Sequence, residues 1–302
     1  MQAVEIKNLT KSFGNGKKKK LAIAGINLNI KSNQIFGLLG SNGAGKTTLL
    51  SILATTLSPS EGIAKIYGRD IEKESMKIRR IINVCSGYSG LFNELTSREN
   101  LVYYAKMRKI KDVEKKADEL LKLVELEKQR DTVGADLSTG MRQRLSLAIS
   151  LIGNPKLLLL DEPTVGLDPV IAHKIRKSIK KIQKKQKMTI ILTTHNMHEA
   201  ERLCDNIAIM KNGKMLAIKT VQGLREMLGN YQIINIETEK EIKTLKNKGV
   251  ISIDKENNST VIRIKDAKKN LPKIFDEIRK YKIVKMAMRE LSLEELYLEF
   301  VK

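Results

Sequence analysis

The 302-residue sequence predicts an α/β domain over residues 1–222 and a smaller α+β domain over 223–302. Three observations lead there. Short, continuously apolar runs such as Leu157–Leu160 and Thr189–Leu192 alternate with helical patterns, as strands of a sheet covered on both faces do. One such run, Ile35–Leu39, leads straight into a glycine-rich turn and then a helix. After Gly223 the alternation gives way to strands, helices and polar turns in a different order.

Taken along the chain, Val4–Leu9 and Leu28–Ile30 read as opening strands, Ile35–Leu39 as a buried strand and Thr47–Leu57 as a helix. Residues 96–130 are helical in pattern, with Leu120, Leu121, Leu123 and Val124 on the core side. In the last 80 residues Tyr231–Thr238 reads as a strand and Glu239–Lys248 as a helix. Val250–Asp254 and Thr260–Ile264 flank the polar turn Glu256-Asn257-Asn258-Ser259, a hairpin signal. Asp266–Tyr281 reads as a helix and Ile283–Met288 as a strand, so the order β-α-β-β-α-β predicts a small split βαβ module. Ser292 and Glu295 form a capping box for a last helix carrying Leu293, Leu296, Tyr297 and Phe300.

Composition narrows the function classes. The longest apolar runs fall far short of the roughly 20 residues that a membrane-spanning helix needs, and the N-terminus has no leader pattern, so a cytoplasmic chain is expected. Cys85 and Cys204 have no metal-ligand spacing and fit a reducing compartment as small apolar fillers. The net charge is +22, with lysines clustered at 17–20 and at 180, 181, 184, 185 and 187. A solvated helix face explains the second cluster best, and proximity to an anionic membrane surface comes next. With no aromatics interleaved to stack bases, nucleic acid is not expected as a partner.

Gly40-Ser41-Asn42-Gly43-Ala44-Gly45-Lys46-Thr47 has the phosphate-loop spacing G-x-x-x-x-G-K-[ST] between a predicted strand and a predicted helix. Its glycines let successive N–H groups face phosphate oxygens at the positive end of the helix, where Thr48 follows. Lys46 reaches the β- and γ-phosphates, and the Thr47 hydroxyl is a Mg²⁺ ligand. The motif predicts ATP and Mg²⁺ as ligands.

Leu157–Leu160 ends in Asp161-Glu162, two acids at the carboxyl end of a buried strand, where open α/β sheets place their ligands. Asp161 suits Mg²⁺, and Glu162 suits a general base for the attacking water. His195 stands just past another buried strand, at the same sheet edge, and is expected near the γ-phosphate. His173 and His198 sit on predicted helices without such a position and are expected to be structural.

Over about residues 1–222 the chain resembles the ABC ATPases. The deciding segment is Leu137-Ser138-Thr139-Gly140-Met141-Arg142-Gln143-Arg144, which is similar to the family signature LSGGQ and falls between the phosphate loop and the acidic strand. The resemblance implies a P-loop NTPase fold of mixed sheet with a helical subdomain at about 84–150. It also implies that Ser138 and Gly140, preceding a helix, close on ATP held by a second protomer. Gly166-Leu167-Asp168 resembles the family's D-loop, His195 its switch histidine, and Phe13 the aromatic residue that stacks on adenine. The last 80 residues resemble the accessory domain of ABC-2 drug exporters, ending Leu291-Ser292-Leu293-Glu294-Glu295-Leu296-Tyr297.

Two departures stand out. Thr139 and Met141 replace the usual Gly and Gln of the signature, and Gly87 occupies the place of the Q-loop glutamine, with Ser86 and Ser89 as candidate substitutes. The resemblance implies an ATP-hydrolysing subunit, a homodimer or paired with a paralogous ATPase, that drives a separate integral membrane subunit from the cytoplasmic face, with export favoured over import. The alternatives are a soluble ABC-type ATPase acting on ribosome or nucleic acid, and a weakly hydrolysing, ATP-gated dimerisation switch.

Overall fold

A computed structural model describes residues 1–14, 20–87, 90–228, 231–256 and 259–301. The chain forms two compact units, Met1–Ile218 and Lys219–Lys302. The elements up to the boundary are β1 (Gln2–Phe13), β2 (Lys20–Lys31), β3 (Ile35–Leu39), α1 (Lys46–Leu53), β4 (Glu61–Ile66), β5 (Arg69–Asp70), α2 (Ser75–Arg79) and β6 (Ile82–Ser86). They continue with α3 (Ser97–Met107), α4 (Val113–Leu123), α5 (Thr139–Ser150), β7 (Leu157–Asp161), α6 (Pro169–Gln186), β8 (Thr189–Thr194), α7 (Met197–Leu203), β9 (Asn206–Lys211) and β10 (Lys214–Lys219).

Six strands form one sheet in the order β10-β9-β3-β8-β7-β6, and β2-β1-β4-β5 form a second. Strands β3, β8, β7 and β6 run parallel, as does β9 beside β3. The leucines of β7 show why this strand sits inside: Leu157 and Leu159 join one core with Ile23, Leu49 and Leu53, while Leu158 and Leu160 join the other with Leu121, Leu145 and Ile179. A strand apolar on both faces can be satisfied only between two layers. Parallel register then sets the site, because Leu39 lies opposite Thr194, and Asp161 opposite Thr193. The carboxyl ends of β3, β7 and β8 are therefore adjacent.

The helix expected over Thr47–Leu57 ends at Leu53, where the chain turns and Thr55 takes a left-handed conformation (φ 60°). The helical part is opened by Thr96, which caps α3 in a reciprocal box with Glu99. Lys180, Lys181, Lys184, Lys185 and Lys187 are all exposed, as a solvated face requires, whereas Lys17–Lys19 lie outside the described residues. Cys85 is buried and Cys204 is half-buried against Gly37, at which any side chain would meet its sulfur.

The second unit contains α8 (Val221–Met227), β11 (Gln232–Thr238), β12 (Val250–Glu256), β13 (Ser259–Ile264), α9 (Ala267–Ile278), β14 (Ile283–Glu290) and α10 (Leu293–Val301). Its sheet has the order β12-β13-β11-β14, with antiparallel neighbours throughout. The helix expected over 239–248 is not formed. That segment offers only Ile242 and Leu245 as apolar residues, too narrow a stripe to offset helix nucleation, and it packs Ile242 against Ile274 and Ile278 as irregular chain. The order is thus β-β-β-α-β rather than β-α-β-β-α-β. The turn residues Asn257 and Asn258 lie outside the described residues.

The expected capping box of the last helix is present. Ser292 N donates to Glu295 Oε2 at 2.8 Å, and Glu295 N donates to Ser292 Oγ at 3.3 Å. Arg289 adds a two-pronged contact at 2.7 and 2.9 Å. Burial works to raise the Glu295 pKa, but the Arg289 and Ser292 hydrogen bonds outweigh it and bring the carboxyl down to about 2. Because the folded pKa is depressed, this stabilisation is complete above the ordinary carboxylate range and is lost as pH falls through about 2. The protection of α10 amides, measured as exchange rate relative to the intrinsic rate at each pH, therefore falls on acidification in full-length protein, and Glu295→Gln removes that pH dependence. An unchanged profile in the variant contradicts the assignment.

Candidate functional site

The phosphate loop leaves β3 at Gly40 and enters α1 at Lys46. Gly43 and Gly45 have φ of 79° and 103°, a region that costs other residues roughly 1–2 kcal/mol. A Cβ at Gly45 would lie 2.5 Å from the Ala22 carbonyl, and one at Gly40 would lie 2.5 Å from that of Met210. The loop is thus pressed between β2 and β9. Gly213, in the turn after β9, donates its N–H to the Ala44 carbonyl at 3.0 Å and pins the loop from that side.

Lys46 is 5% exposed and donates to the Gly40 and Ser41 carbonyls at 2.8 and 3.1 Å. Burial lowers its pKa, against the opposing pull of Glu162 and Asp161. Its ammonium lies 3.9 Å from Glu162 Oε1, a contact long enough to be replaced by an anion.

The acids emerge as the register requires. Asp161 accepts from the Thr47 hydroxyl at 3.3 Å and from the Thr193 hydroxyl. Two hard oxygen donors, on Thr47 and Asp161, suit a small divalent cation such as Mg²⁺. Glu162 has φ 49°, a left-handed conformation uncommon for this residue type. It is held there by its N–H, which donates to the Thr193 carbonyl at 3.2 Å and hydroxyl at 3.1 Å. Its carboxylate meets His195 Nδ1 at 2.9 Å through Oε2 and 3.0 Å through Oε1. Lys46, Thr47, Asp161, Glu162 and His195 are thus one contiguous cluster. His173 and His198 stand exposed on α6 and α7.

A cleft of about 520 Å³ runs from this cluster past Asn42, Gly43, Gly45 and Thr48 to Leu21 and Phe13. Phe13 is 44% exposed, with Lys11 Nζ over one side of its ring at 5.3 Å from the centroid. A groove of about 640 Å³ beside Lys115, Asp118, Glu119 and Arg130 is larger. Size therefore does not select the site; the phosphate loop and the convergent acids do.

Ser138 and Asp168 are exposed helix caps, and neither they nor Gly140 line this cleft. Ser138 accepts from Met141 N at 3.4 Å at the start of α5, with Gly140 inside the first turn rather than before it. A Cβ at Gly140 would stand 2.5 Å from Ile171, so α5 and α6 touch at their N-termini. Asp168 Oδ1 accepts from Val170 N and Ile171 N, both at 3.0 Å, which commits that oxygen to capping α6. Gly87 has φ 56° and its carbonyl accepts from Ser146 Oγ at 2.9 Å, whereas Ser89 lies outside the described residues.

Sequence reasoning passed over Thr193 and Gly213, which hold the acids and the loop. A Thr-Thr pair ending a buried strand and an Asn-Gly hairpin turn were the available signals.

A parallel sheet with a phosphate loop, two acids and an imidazole at one edge, and a second helix end turned to solvent, defines a P-loop ATPase cassette. Comparison with known proteins specifies it. The ABC transporter family pattern matches residues 23–165, and the family described as ATP-binding protein DrrA1-3-like, C-terminal domain, matches 220–301. The chain is 38% identical over 239 residues to the Nod factor export ATP-binding protein I of Rhizobium sp. (strain N33), covering 78% of this chain and 76% of that protein. It belongs to the ABC transporter family.

ABC transporter A family member 12 of Arabidopsis thaliana is 39% identical over 253 residues, 80% of this chain. The chain spans about a quarter (27%) of that relative's length. Among solved structures, the dimeric ATP-binding cassette MJ0796 in a post-hydrolysis state bound to ADP and Pi matches with TM-score 0.64 and 29% identity, over 72% of this chain and 98% of that one. Among the described residues, no helix is long and apolar enough to cross a membrane.

Proposed function

We propose that two copies of this chain, or one copy and a paralogue, bind ATP between them, hydrolyse it, and drive a separate membrane-spanning subunit that exports its substrate. The observation that carries this reading is the division of the site within one chain. The phosphate loop and Glu162 line the cleft, with Asp161 and His195 in contact with Thr47 and Glu162, while Ser138 and Gly140 start another helix and do not line it. A second copy supplies that helix end as an anion-binding partner for the γ-phosphate. The relatives support the reading, one being a dimer bound to ADP and Pi and another being called an export ATP-binding protein.

In this mechanism the backbone N–H groups of 41–48 hold the phosphates, and Lys46 exchanges its bonds to Gly40 and Ser41 for phosphate oxygens. Phe13 stacks on the adenine. Thr47 and Asp161 would hold Mg²⁺, which neutralises phosphate charge when bound. Glu162 takes a proton from water as the water oxygen attacks the γ-phosphorus. The bond to the bridging oxygen breaks, leaving ADP and inorganic phosphate. His195 keeps the Glu162 carboxylate aimed. The chain works at the cytoplasmic face of the membrane. An exposed aromatic cluster of Phe92 and Tyr103, with ring centroids 4.7 Å apart and Met107 beside them on α3, suits an apolar partner element.

Affinity purification of the tagged chain from gently solubilised native membranes is expected to bring down a polytopic membrane protein in stoichiometric amount. Recovery of ribosomal or nucleic-acid partners instead would overturn the transport reading and leave the ATPase chemistry standing.

A further inference from the structure

The base and its histidine partner come from segments 33 residues apart, and something must set their spacing. Glu199, on α7, lies between these segments. It is 1% exposed, a rare condition for a carboxylate, and it touches neither the loop glycines nor the cleft. Thr164, two residues after Glu162, donates its hydroxyl to Glu199 Oε1 at 2.6 Å. On the other side Glu199 is tied to the segment of His195 through its own backbone. Asn196 completes the knot, because its Oδ1 accepts from Glu199 N at 3.0 Å and its own N–H donates to Thr194 Oγ1 at 3.0 Å.

We infer that Glu199 is a positioning residue for hydrolysis, tying the turn after Glu162 to the strand end before His195 so that the two side chains meet. The inference rests on the roles given above to Glu162 and His195. A carboxylate suits this place because it accepts the Thr164 hydroxyl of another chain segment without a rotatable proton of its own, while its backbone N–H is held by Asn196, next to His195. Burial raises its pKa and Glu162 adds to the rise as a like charge, against the opposing pull of the Thr164 and Thr194 hydroxyls and Arg176 of α6. The arrangement places this second acid where it can steer the first while remaining out of reach of the nucleotide. Loosening it leaves the phosphate loop and the adenine surface intact.

The test separates kcat from nucleotide binding. In Glu199→Ala, kcat falls on the order of 10²-fold, the scale of a misplacement of about 1 Å. Affinity for a non-hydrolysable ATP analogue stays within about twofold of wild type. Glu199→Gln, whose amide oxygen still accepts from Thr164, recovers most of the lost kcat. Thr164→Val lowers kcat in the same way, and the double variant with Glu199→Ala is no worse than the single ones, as expected for groups acting through one bond.

Wild-type kcat in Glu199→Ala overturns the inference, and so does an equal loss of kcat and nucleotide affinity, the mark of a purely structural residue. A glutamine variant as poor as alanine overturns it as well. Should the alanine variant fail to fold, Thr164→Val decides alone, because it removes one hydroxyl and no volume. Glu162→Gln is assayed in parallel. If it hydrolyses ATP normally, the underlying assignment has failed; if it is inactive while the Glu199 variants are normal, only the positioning role has.

Discussion

Replacing Glu162 by Gln lowers ATP turnover by about 10²- to 10⁴-fold, the usual contribution of a general base, while ATP is still bound. The amide preserves the shape of the side chain and can still contact His195, which now lies 2.9 Å from the carboxylate, so the substitution removes basicity with little disturbance of the cleft. It also removes the negative charge 3.9 Å from Lys46, which favours an incoming polyphosphate. Addition of ATP and Mg²⁺ therefore converts the variant to a long-lived dimer, read by size-exclusion chromatography, in which Ser138 and Gly140 of each copy close on the nucleotide of the other. Turnover at the wild-type rate in this variant would falsify the assignment of the base.

Lys46→Ala has the second large effect, and at an earlier step. A buried ammonium that donates to Gly40 and Ser41 braces the loop, and in the proposed mechanism it exchanges these bonds for the β- and γ-phosphates. Its removal leaves the Gly40 carbonyl without this donor and Glu162 and Asp161 without their nearby cation, so the cleft becomes anionic where it must accept an anion. ATP binding measured by equilibrium dialysis is lost, with hydrolysis lost in consequence. A variant that kept wild-type affinity would show that the loop does not hold the triphosphate. The two substitutions thus differ in kind: one binds without turnover, the other does neither.

Legibility followed burial and local spacing. Strands β3, β7 and β8 were readable because each is buried over four to six residues around an apolar run, and the proposed site residues stood at their ends: Gly40–Thr47, Asp161-Glu162 and His195. The run Ile207–Met210 carries the same signal, but without chemistry at its end it is easily passed over. What a linear reading could not supply is contact between distant segments. Glu199 looks like an ordinary helix-surface acid until α7 folds under Thr164, and Gly213 looks like a hairpin turn until it meets Ala44. The segment 239–248 failed for the opposite reason. Its lysine-rich pattern permits a helix locally, yet Ile242 and Leu245 join the core of the second unit as irregular chain instead.

The left-handed backbone at Glu162 has an evolutionary consequence. Glycine or asparagine occupies that conformation at lower cost, and strain of this kind amounts to roughly 1–3 kcal/mol per residue. The side chain proposed as the base is thus carried on a backbone conformation that its residue type accepts poorly. Drift toward a more stable protein at this position is also drift toward an inert one. Duplicated copies freed from turnover can give up the glutamate first and gain stability as they do.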